Sequence, residues 1–118
     1  MFLSTALIAQ QDYFLYHKKV LEIESLIASD QYQQALDTYD ELFAIYNYVF
    51  LEDYKIATQV AAHLGQESKA FDYLGMGVSA GWTIKEIKKH SKLKPLKRNP
   101  RWDVLETSYE ALRQDFED

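Results

Sequence analysis

Residues 69–82, KAFDYLGMGVSAGW, support two incompatible readings, and the choice between them decides the fold. Gly77-Val78-Ser79-Ala80-Gly81 spells G-x-S-x-G, the form of a serine-hydrolase nucleophile elbow. An elbow needs a strand running into a strained turn, which lifts the serine Oγ above a sheet. The residues ahead of Ser79 are helical by pattern instead, with no parallel-sheet signal around them. His90 also precedes Asp103 downstream, whereas that fold supplies its acid before its histidine. The glycines fall as G-x-G-x-x-x-G, which is not the dinucleotide-binding spacing and lacks its strand. The stretch therefore reads as helix, with Gly77 as a close-packing point and Gly81 as the stop. Gly75 and Gly77 would each cost about 1 kcal/mol relative to Ala inside a helix, and close packing offsets that only at Gly77.

Outward from this segment, apolar residues recur every three or four positions nearly throughout, so the chain is expected to be all-α. A first helix over about residues 11–28 carries Tyr16, Val20, Ile23 and Ile27 on one stripe. Ser29-Asp30 breaks it, and Asp30 with Gln33 has the spacing of a capping box for a second helix to about residue 45. A third helix spans about 51–64 and ends at Gly65, and a fourth spans about 67–80. Thr83 with Glu86 is a further capping box, opening a short helix over 84–90. Lys94-Pro95 interrupts, and Asn99-Pro100 reads as the start of a last helix bearing Trp102, Leu105, Tyr109, Leu112 and Phe116.

Composition bounds what such a chain can do. Its 118 residues make one domain or a fragment, long enough for one real core, and 47% apolar with 26% charged content is ordinary for a globular protein. There is no Cys, which excludes disulfides, thiolate catalysis and thiolate metal sites. His17, His63 and His90 are far apart in sequence with no H-E-x-x-H, so no metal or other cofactor is expected. Neighbouring carboxylates such as Asp40-Glu41 and Glu52-Asp53 point in different directions on helices and read as solvated. No run reaches the length needed to span a bilayer. Residues 1–10, MFLSTALIAQ, read as the end of a signal peptide without its basic start, or as a short apolar arm. The first reading implies export to periplasm or surface, and the second leaves a cytoplasmic location open.

Charge is unevenly spread. Residues 82–102 hold eight Lys or Arg against Glu86 alone, leaving the rest at about −12. These cations are expected to face acids of the other helices, Asp103, Glu106 and Glu110 among them. With a net charge of −5, nucleic acid is not an expected partner. The aromatics Phe43, Tyr46, Tyr48, Phe50 and Tyr54 are expected mainly in packing, with a partner surface as the other reading.

An internal repeat completes the pattern. Residues 30–43, DQYQQALDTYDELF, align with 65–78, GQESKAFDYLGMGV, at a constant offset of 35. Ala35 falls on Ala70, Leu36 on Phe71, Tyr39 on Leu74 and Leu42 on Gly77. Both segments resemble the second helix of a tetratricopeptide repeat. The tail GWTIKEIKKHSKLKPLKRNPRWDVL resembles an ending common after such repeats. The first helices lack the Trp and Gly usual in that family, and the repeat is one residue longer than its usual 34.

The resemblance implies two helix hairpins, about 11–46 and 50–81, stacked as a short right-handed α-solenoid. Residues 82–118 would close it as a C-terminal capping segment. It also implies a non-catalytic scaffold that binds a peptide or partner protein on a concave face lined by each hairpin's first helix. Carried over by helical phase, Glu24, Lys55, Gln59 and His63 are the candidate binding residues, and Lys55 with Gln59 partly resembles a pair that grips a terminal carboxylate. The alternatives are an appendage that regulates or positions a larger exported protein or enzyme and, last, a hydrolase using Ser79.

Overall fold

A computed structural model describes the backbone from Phe2 to Glu117 and the side chains of residues 12–109 and 111. Every regular element among them is helical. The chain divides into two compact units, Met1–Val49 and Phe50–Asp118.

In the first unit α1 (Phe2–Ala28) and α2 (Tyr32–Ile45) pack together as a hairpin. α1 begins well before residue 11, so the leader-like segment continues the helix in its backbone, although its side chains lie outside the described residues. The expected stripe holds, with Tyr16 and Ile23 buried and Val20 and Ile27 half-buried. α2 contributes Ala35, Leu36, Tyr39 and Leu42, all fully buried. Each large apolar side chain removed from water in this way contributes about 1.5–3 kcal/mol. Tyr16 meets Tyr46 edge-on at 5.2 Å between ring centroids.

The turn between these helices corrects one sequence expectation. Asp30 does not cap α2; its φ is +60°, and Gln31 is the capping residue, with no side-chain hydrogen bond. Asp30 N–H donates to the Ile27 carbonyl (3.0 Å), and Gln31 N–H donates to that of Leu26 (2.8 Å). This pair of bonds is the Schellman ending, whose left-handed residue is usually Gly but can be Asp. Gln33, assigned to the capping box, donates to Asp37 instead.

The second unit holds α3 (Leu51–His63), α4 (Glu67–Ser79), α5 (Ile84–Lys89), a 3-10 helix (Ser91–Arg98) and α6 (Arg101–Glu117). α3 packs on α4 and on the 3-10 helix. The turn from α3 to α4 repeats the first one: Gly65 has φ +74°, its N–H donates to Ala62, and Gln66 N–H donates to Ala61. α1 and α3 end 35 residues apart, and α2 and α4 start 35 residues apart. A third Schellman ending closes α4, with Gly81 at φ +111° and Trp82 N–H donating to Gly77 (2.8 Å). This motif brings the residue after the left-handed one back against the helix. Trp82, 1% exposed, accordingly lies over Gly77, where an added Cβ would stand 2.7 Å from its Cε3.

Thr83 caps α5 as expected, its side chain accepting from Glu86 N–H (3.3 Å). Lys94-Pro95 does not interrupt the structure: the 3-10 helix runs straight over Pro95. With three residues per turn, Leu93 and Leu96 share one edge, and both are fully buried. Asn99 starts α6 by accepting from Arg101 N–H (2.9 Å), and its amide donates to Glu67 (2.8 Å). Trp102 is buried, while Leu105 and Tyr109 are half-buried, and the side chains of Leu112 and Phe116 lie outside the described residues.

Candidate functional site

Along α3, burial of Ala57, Val60, Ala61 and Ala62 fixes which residues are left towards the surface. Lys55 and Gln59 are half-buried and His63 is exposed, and their four-residue spacing puts them on one stripe. Glu24 lies on α1 in the first unit, where it is exposed. The structure therefore brings three of the four candidate residues onto one helix of one unit.

Lys55 has a specific setting within that stripe. Its Nζ donates to Glu86 of α5 at 3.1 Å and lies 5.9 Å from the centroid of Trp82. Glu86 thus does two things: its backbone N–H meets the Thr83 cap, and its carboxylate meets Lys55. A carboxylate already occupies the cation proposed to grip one. Beneath this pair, Tyr54 stands against Gly77, with its Cβ 3.6 Å from where a glycine Cβ would be. Burial pushes the Tyr54 phenol above its ordinary pKa of 10.0.

Sequence reasoning missed Glu86 and Trp82 as neighbours of this stripe. A short-range spacing cannot show them, because Lys55 and Glu86 are 31 residues apart. It also missed a groove inside the first unit, of about 320 Å³, lined by Leu15, Lys18, Lys19, Leu42, Ile45 and Tyr46 together with Glu22. Lys19 bridges Glu22 and Glu41 at its rim. Tyr13, Phe14, Leu15 and Leu21 of α1 are all more than half exposed. Of the aromatic group singled out in the sequence, Phe43, Tyr46 and Tyr54 are half-buried, whereas Tyr48 and Phe50 are exposed.

Among the described residues, some cations of the tail have acidic partners and others do not. Lys88 pairs with Glu106 (3.7 Å), as expected, and Arg101 reaches Asp72 (3.1 Å) and the Ser68 carbonyl (3.2 Å) on α4. Lys97 donates to the Lys88 carbonyl (2.8 Å) and lies 5.8 Å over Trp102. The side chain of Glu110 lies outside the described residues.

Ser79 is the last residue of α4 and exposed, on helical backbone rather than between a strand and a helix. Among the described residues no cluster of three or more His, Asp or Glu could hold a metal ion. No helix among them is long and apolar enough to cross a membrane. Comparisons with protein-family models, curated proteins and solved structures give no match.

Proposed function

We propose that this chain is a non-catalytic helical-repeat module that binds a polypeptide partner or holds one in place. In this reading its hairpins are two tetratricopeptide-like repeats, stacked as a short right-handed solenoid and closed by residues 82–118. The observation that carries it is the recurrence of one hairpin turn at a 35-residue offset, down to the hydrogen bonds made by Gln31 and Gln66. A repeat of this kind leaves a row of first-helix side chains for a ligand. In the second hairpin that row is Lys55, Gln59 and His63, with Glu24 as the candidate from the first.

Peptide display on the immobilised chain tests the reading. Selected peptides should lose binding on Gln59→Arg, and equal binding to that variant, or no selectable peptide, would overturn it. The narrower form has a terminal carboxylate displacing Glu86 from Lys55. Peptides that bind equally with free and amidated C-termini would sink that form alone.

A second reading, an appendage that regulates or positions a larger protein, draws on the apolar side chains that α1 exposes at Tyr13, Phe14 and Leu21. Gene context distinguishes it, by showing whether the same polypeptide encodes another domain.

A further inference from the structure

The α5–3-10 segment is dense in cations, with eight Lys or Arg over residues 82–102. Lys85, Lys89, Lys92, Lys94 and Arg98 are exposed and have no ion-pair partner among the described residues. They are held on a rigid base, because Ile87, Leu93 and Leu96 beneath them are fully buried. The 3-10 period sets Lys94 with Lys97 along one edge and Lys92 with Arg98 along another, away from the two leucines. In α5, Lys85 and Lys89 lie four apart on one stripe, where like charges repel and cost a few tenths of a kcal/mol. The fold therefore fixes a cationic plate in place, with little neutralisation of these five charges among the described residues.

We propose that this plate is a docking surface for an acidic polypeptide segment, and that it acts independently of the α3 stripe. Two observations favour a run of carboxylates over a nucleic acid. Both tryptophans near the plate are buried, Trp82 at 1% and Trp102 at 5% exposure, so no aromatic among the cations is free to stack a base. The chain as a whole is at −5, which opposes a dense polyanion more than a short run of carboxylates. The plate already uses this chemistry internally, where Lys88 holds Glu106.

Fluorescein-labelled oligo-glutamate, titrated with the full chain and followed by anisotropy, tests the proposal. Binding should weaken steeply with added salt. The double variant Lys92→Glu with Lys94→Glu should weaken it about tenfold, and Lys18→Glu in the first unit should change it much less. Both substituted lysines of the plate are exposed, so the variant should stay folded, which circular dichroism checks. A single-stranded oligonucleotide and phosphatidylserine vesicles run as parallel arms. No salt-dependent binding of oligo-glutamate, unchanged binding by the double variant, or tighter binding of the oligonucleotide or the vesicles would each overturn it.

Discussion

At Gly77 an added methyl would stand 2.7 Å from a ring carbon of a buried tryptophan and 3.6 Å from Tyr54 Cβ. Neither neighbour is the free end of a flexible chain, so Gly77→Ala must move Trp82. The cost of such overpacking is about 1–3 kcal/mol, which outweighs the helix-propensity gain of about 1 kcal/mol. Two residues earlier, Gly75 has nothing within 4 Å of its would-be Cβ. Gly75→Ala should therefore raise stability by about 0.5–1 kcal/mol. Urea unfolding followed by tryptophan fluorescence measures both, and equal effects at the two positions would refute the packing argument. The Tyr54 phenol gives a second prediction at this scale. Its pKa is raised by burial, so the unfolded chain loses that proton first, at about its ordinary 10.0. Stability from this group is fully present below pH 10 and falls as pH rises beyond it. Tyr54→Phe should flatten that alkaline decline in unfolding midpoints measured across pH.

Among the elements, the 3-10 helix is the one most dependent on few side chains. Leu93 and Leu96 are its only buried residues, and both are fully enclosed. Leu96→Ala should cost about 2–5 kcal/mol and release the segment, which amide hydrogen exchange over residues 91–98 would report as lost protection. Retained protection would mean that Lys97 and the α6 start hold the segment without its apolar edge. Local signals made some elements legible in advance. Thr83 and Asn99 cap as their sequence says, because a cap involves only the next two or three residues. Asp30 misled for an equally local reason: the same short polar side chain suits both an N-cap and a left-handed position. Its alignment with Gly65 was the signal that could have decided between them.

On the scale of the molecule, helical periodicity leaves no sheet to raise a serine into an elbow, and a fluorophosphonate probe should leave Ser79 unlabelled. Labelling there would overturn the non-catalytic reading. The sequence by itself determined the all-helical class, the 35-residue recurrence and the clustering of cations after Trp82, because periodicity, turn residues and charge runs act through neighbouring positions. Only the tertiary structure decided that Lys55 meets Glu86, that Trp82 is what packs against Gly77, and which lysines lack an ion-pair partner among the described residues. Those outcomes depend on the direction in which each helix leaves its turn. The φ of +111° at Gly81, for instance, returns Trp82 onto α4, and no spacing in the chain encodes that direction.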